Sequence, residues 1–355
     1  MVARIERKTV LLGCALDCDD QLESILEKNS SLLPETLSDD PYDWVSGLLR
    51  KSCPDGKFDF FGSLEVPGWL RPQQQKKDMQ DVTAEAFINF MESQGCAEYA
   101  RQIQKKVADH VLPDISCFIG VDHSLSGGAL RAAADYYGHN NLSLIVLDSH
   151  VDAIPLSATL GAIQYDIETN PNSVYDAYDP LLLDRKDTYN ASSFLDYIIH
   201  ENVVLPDNIY LIGISDYPPP KAFKIKDKRI VNYVKSYSCL KYKGVKLLTN
   251  KDCNLNIKRI ETVLQKIKTP YIYISIDMDI GAIAAVEGVR YKNRTGLKES
   301  NILKIVSIVQ EITNGNFNLA GLDVTEFNAR KAGSDFHKGE RTYPLAAEIV
   351  KNLVC

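Results

Sequence analysis

Two apolar runs with a helix-like segment between them constrain the fold of this chain more than any other feature. The runs are ISCFIG at 115–120 and LSLIVL at 142–147, and the alanine-rich Ser126–Tyr137 lies between them. Apolar runs of this length are typical of parallel strands covered on both faces, and such strands are joined by a helical crossover. The segment therefore predicts a strand, a helix and a second, parallel strand.

Side chains that bind metal ions follow both predicted strands. One histidine comes just after the first strand, and D-S-H-V-D ends the second. In an extended chain, residues at i, i+2 and i+4 point to one face, so the two carboxylates and the imidazole of D-S-H-V-D lie together. The run YIYISID at 271–277 ends in Asp277, and Asp279 follows it with the same spacing of two. The candidate ligands are His123, Asp148, His150, Asp152, Asp277 and Asp279.

The types of these ligands predict a site for two divalent metal ions. Carboxylates can bridge two ions, and imidazole nitrogen favours borderline metals such as Mn, Fe, Co, Ni or Zn. A single carboxylate at a strand end can also be a simple cap or a surface charge. A D-x-H-x-D run combined with D-x-D and D-H-S is instead typical of a functional site.

Further apolar runs alternate with helical patterns along the chain. They include TVLLGCA at 9–15, NIYLIGIS at 208–215 and LAGLDV at 319–324. The alternation predicts a three-layer α/β/α fold with a mostly parallel central sheet and with function at the carboxyl ends of the strands. We expect residues 1–355 to form a single domain, with an insertion-like segment at about 17–80.

The segment at about 17–80 is acidic at first and then punctuated by proline and glycine. Its aromatic side chains could close over a pocket as a lid, or they could pack the segment against the body of the protein. We favour packing. These residues are Trp44, Phe58, Phe60, Phe61 and Trp69.

Composition narrows the class of partner and the cellular location. The formal net charge is -7, whereas a nucleic acid or an anionic membrane surface would need a basic face. No apolar stretch approaches the ~20 residues of a membrane span, and the apolar run before Cys14 is too short for a signal peptide. The 8 cysteines form no C-x-x-C pair, which favours a reducing compartment and predicts a cytoplasmic protein.

The motifs around the candidate ligands resemble those of the ureohydrolases, the family of arginase, agmatinase and formimidoylglutamase. V-D-H-S with the following GGALRAAADYYG is similar to the family's G-G-D-H-S and helix, LDSHVDA to D-A-H-x-D, SIDMD to S-x-D-x-D, and LDVTEFN to D-x-x-E-x-N. The resemblance implies an arginase-like fold and a divergent ureohydrolase. Such an enzyme cleaves a C–N bond of a guanidino or formimino compound with a hydroxide that bridges two metal ions, and it releases urea or formamide.

The resemblance also implies a role for each residue. One ion is held by His123, Asp148, Asp152 and Asp277, and the other by Asp148, His150, Asp277 and Asp279. Asp152 acts as a general acid-base, and Glu326 pairs with the cationic nitrogens of the substrate. The expected cofactors are two divalent ions, Mn2+ ahead of Ni, Fe, Co or Zn. The expected partner is a small cationic guanidino substrate or an arginyl side chain, and a homo-oligomer is expected by analogy.

The chain departs from the family pattern at several places. Asn190 stands where the family has a loop histidine that shuttles protons, and His200 fits the solvent-facing end of a helix better than it fits a substitute. Asp216 stands where many members have arginine, and GAIAA follows Asp279 where they have D-P. These departures leave two alternatives open: a mononuclear zinc amide hydrolase similar to the deacetylases, and a binding protein without turnover on the same fold.

Overall fold

A parallel sheet forms the centre of the molecule, in a computed structural model that describes residues 7–19, 21–30, 37–53, 56–179, 182, 185–291, 296–315 and 317–355. The strands are β1 (Thr9–Cys14), β2 (Phe58–Leu64), β3 (Ile115–Gly120), β4 (Leu142–Leu147), β5 (Ile209–Ile214), β6 (Lys246–Thr249), β7 (Tyr271–Asp277) and β8 (Asn318–Thr325). They form one 8-stranded sheet in the order β2-β1-β3-β8-β7-β4-β5-β6, and neighbouring strands pair in parallel.

Helices connect the strands and cover both faces of the sheet. They are α1 (Leu22–Ser30), α2 (Pro41–Ser52), α3 (Ala84–Glu92), α4 (Gly95–His110), α5 (Ser126–Tyr137), α6 (Leu156–Thr169), α7 (Phe194–His200), α8 (Lys228–Tyr242), α9 (Asn250–Leu255), α10 (Ile257–Leu264), α11 (Glu299–Gly315), α12 (Ala329–Asp335) and α13 (Thr342–Val354). The arrangement confirms the predicted three-layer α/β/α fold. Within the described part of the chain, no helix is long and apolar enough to cross a bilayer.

Alternate side chains of each central strand enter two separate hydrophobic cores. Leu144 and Val146 of β4 pack in one core with α4, α5 and α7. Ile145 and Leu147 of the same strand pack in the other core with α10, α11 and α13. Because both faces of the strand are covered, apolar residues are favoured at consecutive positions, which explains why the sequence shows continuous runs and not alternation.

The segment at about 17–80 packs, through its described residues, against the body of the protein. It supplies the edge strand β2, which pairs with β1. Trp44 stacks on Tyr343 with ring centroids 5.4 Å apart, and Trp69 meets the edge of Phe87 at 5.4 Å. These contacts agree with the packing interpretation that we favoured over a lid.

The crossover helix α5 has the predicted bounds and lies close against α4. A Cβ atom on Gly128 would overlap the backbone carbonyl oxygen of Ala100. Only glycine fits there, and the close approach fixes the first turn of α5 beside the end of β3. The fold thereby sets the position of the segment between β3 and α5, where His123 lies.

Candidate metal centre

Four neighbouring strands in the middle of the sheet bring the candidate ligands together. In spatial order they are β3, β8, β7 and β4. His123 follows β3, the D-S-H-V-D run follows β4, Asp277 ends β7, and Glu326 follows β8. Because parallel strands end at the same edge of a sheet, these side chains meet there. They are buried, apart from His150, whose side chain is 33% exposed.

The first group surrounds the imidazole of His123. Its Nδ1 lies 2.8 Å from Asp152 Oδ2, 3.3 Å from Asp277 Oδ2 and 3.5 Å from Asp148 Oδ2. Burial by itself lowers the pKa of His123, but the three carboxylates raise it well above its ordinary value. A proton on Nδ1 therefore occupies a position, between three carboxylates, that a metal cation could take.

The second group consists of Asp148, His150 and Asp279. His150 Nδ1 lies 2.9 Å from Asp279 Oδ2 and 3.7 Å from Asp148 Oδ1. Asp148 is common to both groups. Asp277 lies with the first group, and its Oδ1 accepts a hydrogen bond of 2.7 Å from the backbone N–H of Asp279.

The buried carboxylates of both groups fit a metal centre. Burial raises the pKa of Asp277 well above its ordinary value, and Asp279 and Asp148 raise it further. Burial and the neighbouring Asp148 raise the pKa of Asp152 to about 7. Asp148 Oδ2 lies 3.5 Å from His123 Nδ1 and accepts no hydrogen bond from the described residues. A cation would supply the missing partner and relieve the repulsion between like charges, and the His and carboxylate donors suit a borderline divalent metal.

A chain of hydrogen bonds behind His123 fixes which of its nitrogens faces the carboxylates. Ser275 Oγ donates to Asp323 Oδ1 at 2.7 Å, so its oxygen can accept from His123 Nε2, 2.9 Å away. Nδ1 then faces the three carboxylates and is the nitrogen that could ligate a metal. Ser275 and Asp323 are the first polar residues of the SIDMD and LDVTEFN motifs, but sequence reasoning gave neither a role. Ser275 lies two residues before Asp277 and therefore on the same face of β7.

A second polar residue that sequence reasoning missed orients Asp279. The hydroxyl of Ser149 donates to Asp279 Oδ1 at 2.8 Å. Ser149 is the serine of D-S-H. The spacing of two predicts ligand roles for the D-S-H-V-D carboxylates and imidazole, and gives none to the serine. Its role arises from the backbone at the end of β4, which turns this side chain toward the end of β7.

Strained backbone lies at the same edge of the sheet. Asp152 has φ 45° and Glu326 has φ 63°, both in the left-handed region that non-glycine residues rarely occupy. Gly213 of β5 has φ 109°, and a Cβ there would lie 2.6 Å from the carbonyl oxygen of Asp148. Such strain clusters at functional sites, where the surrounding structure imposes it.

Glu326 lies beside the first group. Its Oε1 accepts a hydrogen bond of 2.9 Å from the backbone N–H of His123, and its Oε2 accepts none from the described residues. Burial raises the pKa of Glu326 to about 8, although the nearby guanidinium of Arg290 lowers it. A buried oxygen without a donor is suited to a cationic ligand with N–H groups.

The residues at the departures from the family pattern have other contacts. Asn190 Oδ1 accepts hydrogen bonds from the hydroxyls of Ser192, at 2.9 Å, and Ser193, at 3.1 Å, so its side chain stabilises the turn before α7. His200 has a side chain that is 63% exposed and lies 3.0 Å from Asp196, as expected for a helix end. The turn and the exposed ion pair account for both side chains.

Asp216 lies beneath the second group. Its Oδ2 accepts a hydrogen bond of 2.9 Å from the hydroxyl of Tyr237. Burial raises the pKa of Asp216 to about 6, and the charge of His150 lowers it. The sequence marked this position only as a departure, whereas the structure places a carboxyl group within electrostatic reach of a candidate ligand.

Comparison with known proteins identifies similar sequences and folds. The sequence model of the Arginase family matches residues 63–355. No curated protein sequence matches the chain significantly.

Solved structures of similar fold cover nearly the whole chain. One is proclavaminate amidino hydrolase from Streptomyces clavuligerus, with 18% identity, TM-score 0.55, and coverage of 98% of this chain and 91% of that one. Arginase from Bacillus subtilis has 15% identity, TM-score 0.58, and coverage of 98% of each chain. A formiminoglutamase variant from Trypanosoma cruzi, solved with Mn2+, has 11% identity, TM-score 0.57, and coverage of 99% of this chain and 94% of that one.

Proposed function

Because the chain belongs to the arginase family, we propose that it is a hydrolase that uses two divalent metal ions to cleave a C–N bond of a guanidino or formimino compound. Its products would be an amine together with urea or formamide. The observation that supports this proposal is the pair of buried His and Asp groups that share Asp148. Two adjoining sets of ligands are suited to two ions, whereas a mononuclear amide hydrolase would use one.

The ligand groups assign residues to each ion. His123, Asp148, Asp152 and Asp277 would hold one ion, and Asp148, His150 and Asp279 the other, to which the family resemblance adds Asp277. Bound there, the two ions would make a water molecule acidic enough to supply hydroxide at neutral pH. We propose Mn2+ as the metal, since His and carboxylate donors accept it and a structure of similar fold was solved with it.

Asp152 is the proposed proton carrier. Its carboxyl is buried, and its pKa of about 7 results from burial and from the charge of Asp148. A carboxyl group with a pKa near neutral pH can take a proton from the nucleophile and return it to the departing nitrogen. The hydrogen bond of 2.8 Å between Asp152 Oδ2 and His123 Nδ1 supports this role, because it keeps the carboxyl group beside the other proposed ligands.

Glu326 is the proposed binding residue for the substrate cation. Its Oε2 is buried and accepts no hydrogen bond from the described residues. An N–H group of a guanidinium or formimino substrate would satisfy that oxygen, and the ionic pairing would hold the reactive carbon beside the first group. The proposed substrates are therefore small cationic guanidino compounds or an arginyl side chain. No disulfide bond joins the described cysteines, which fits the proposed cytoplasmic location.

The test combines metal content with product release. Protein loaded separately with Mn2+, Ni2+ and Zn2+ is analysed by mass spectrometry for ions per chain. The same samples are assayed for urea or formamide with arginine, agmatine, guanidinoacetate, formiminoglutamate and an arginine-containing peptide. We expect two ions per chain and product from at least one compound.

Two variants control this test. Asp148→Asn should lose both ions and all turnover, because Asp148 belongs to both groups. Asp59→Asn makes the same substitution at a surface side chain that is 52% exposed, so it should retain both ions. A preparation that holds two ions but releases neither product from any compound would refute the proposed reaction. One ion per chain with hydrolysis of an acetylated amine would favour the amide hydrolase instead.

A further inference from the structure

The guanidinium group of Arg290 is buried beside Glu326. The side chain of Arg290 is 6% exposed, and its Nε lies 3.9 Å from Glu326 Oε2. The backbone joins the two residues as well, since the N–H of Arg290 donates to the carbonyl oxygen of Glu326 at 3.3 Å. The protein therefore carries a fixed cation next to the carboxylate that is proposed to bind the substrate cation.

Two carboxylates from the loop after β1 hold Arg290 in place. Its Nη2 lies 3.1 Å from Asp17 Oδ1 and 3.1 Å from Asp19 Oδ2. Both partners are themselves fixed, because Asp17 also pairs with Lys28 at 3.0 Å and Asp19 accepts the hydroxyl of Ser24 at 2.5 Å. A guanidinium held by two carboxylates on one edge has a defined direction for its remaining N–H groups.

The distance between Arg290 and Glu326 determines what the contact can do. At 3.9 Å, the Nε atom is too far from Glu326 Oε2 for a hydrogen bond, but the charges still attract each other. The carboxylate is held on one side by the backbone N–H of His123 and is drawn on the other side toward Arg290. Oε2 remains available as an acceptor.

The neighbouring negative charges make this attraction necessary. Asp122 and Asp277 both lie within electrostatic range of Glu326. Beyond the effect of burial, Asp122 raises the pKa of Glu326, and Glu326 raises the pKa of Asp277. Without a cation nearby, a buried carboxylate among like charges turns away from them or rearranges. Arg290 supplies such a cation, with its Nε 3.9 Å from Glu326 Oε2.

We propose that Arg290 is a positioning residue, which holds the Glu326 carboxylate in the orientation that receives the substrate cation. The inference rests on the proposed function of Glu326. The two carboxylates that anchor Arg290, Asp17 and Asp19, lie before residue 63, where the match to the Arginase family begins. The loop after β1 thus gives this N-terminal part of the chain a role at the site.

Tyr291, the residue after Arg290, lies between Asp19 and the second ligand group. The hydroxyl of Tyr291 donates to Asp19 Oδ1 at 3.5 Å, and its ring lies edge-on to the His150 ring with centroids 6.0 Å apart. Asp19 therefore fixes two consecutive residues, of which one borders Glu326 and the other borders a candidate metal ligand.

The first arm of the test is structural and does not depend on turnover. Crystal structures of the wild-type protein and of Arg290→Met, both loaded with Mn2+, are compared at Glu326. We expect the carboxylate of the variant to leave the position beside the backbone N–H of His123, or to become disordered. A carboxylate that stays in place would overturn the inference. If Arg290→Met does not fold, Asp19→Asn is used, since it removes one anchor and keeps Asp17, and the same two outcomes apply.

The second arm is kinetic. For Arg290→Met we expect kcat/KM to fall about 100-fold, the loss associated with a misplaced binding group. The loss should lie mainly in KM, with unchanged metal content, because Glu326 binds the cation in the ground state and the transition state alike. Arg290→Lys keeps the charge and should recover most of the activity. Arg259→Met, at an exposed ion pair with Asp252, should match the wild type.

The two arms separate this inference from the proposed function. A wild-type protein that releases neither urea nor formamide refutes the function, and the two crystal structures still decide whether Arg290 orients Glu326. An Arg290→Met protein with full metal content and a KM within threefold of the wild-type value would overturn the inference, even if the wild type is an active hydrolase.

Discussion

The substitution Asp148→Asn tests the metal centre most directly. Asp148 is the residue that the two ligand groups share, so its loss should weaken both sites. Asparagine has the same shape, and its Oδ1 can keep the hydrogen bond of 2.7 Å from the backbone N–H of His150. The stability of the metal-free protein should therefore change little, by less than about 2 kcal/mol, while the stabilisation by metal should disappear.

The expected shift in melting temperature follows from binding linkage. An ion present at about a hundred times its Kd stabilises the folded state by about 2.7 kcal/mol, so two ions contribute about 5 kcal/mol. At about 2.1 cal/mol/K per residue, the unfolding entropy of 355 residues is about 0.75 kcal/mol per degree. Metal should then raise the Tm of the wild type by about 7 °C, and that of Asp148→Asn by about 0 °C.

The assay is differential scanning calorimetry in EDTA and in Mn2+. Asp152→Asn and Asp279→Asn each affect one ligand group, so each should keep about half of the shift, about 4 °C. Asp59→Asn is the surface control. If Asp148→Asn still gains the full wild-type shift with Mn2+, the assignment of Asp148 to both groups is wrong. If it melts several degrees lower in EDTA, its role is structural.

Three further predictions follow from the site. Glu326→Gln should lower kcat/KM about 100-fold, mainly through KM, because an ionic hydrogen bond to the substrate contributes about 1.5–3 kcal/mol. Unchanged kinetics with a cationic substrate would contradict the proposal that Glu326 binds the substrate cation. Metal binding should release protons near pH 7 and strengthen as the pH rises. The reason is that His123, His150 and Asp152 have raised pKa values, about 7 for Asp152, and so hold protons in the metal-free fold. Calorimetric heats of metal binding that are equal in phosphate and Tris buffers would exclude this release. Asn190→His should lower the free energy of unfolding by about 1–3 kcal/mol, because it removes the acceptor of two hydroxyls in the turn before α7. It should not raise kcat, and a gain in kcat would show that this position does serve proton transfer.

The candidate metal centre was predictable because its residues follow local patterns. Spacing of two in D-S-H-V-D and in D-M-D places carboxylates on one face of an extended chain, whatever the rest of the molecule does. The apolar runs before them predict buried parallel strands, and parallel strands end at one edge. These local facts were sufficient to bring Asp148 and Asp277 to the same site from opposite halves of the sequence.

The environment of Glu326 was not predictable in this way. Asp17 and Asp19 lie more than 250 residues before Arg290, and sequence reasoning assigned none of the three to a site. Their contact depends on β1 lying beside β3 in the sheet and on the path of the chain after β7. Likewise, the sequence showed only that Asn190 departs from the family pattern, and the structure adds that its side chain accepts two hydrogen bonds in the turn before α7.

The sequence by itself determined the strands, the crossover helix and the set of candidate metal ligands, because each depends on residue periods of two or 3.6 within a short stretch. Only the tertiary structure decided which ligands group together, which nitrogen of His123 faces them, and which cation lies beside Glu326. Those outcomes depend on strand order and on hydrogen bonds between distant residues, such as the one from Ser275 to Asp323. Local pattern carries no information about such pairings until the sheet has brought the strands side by side.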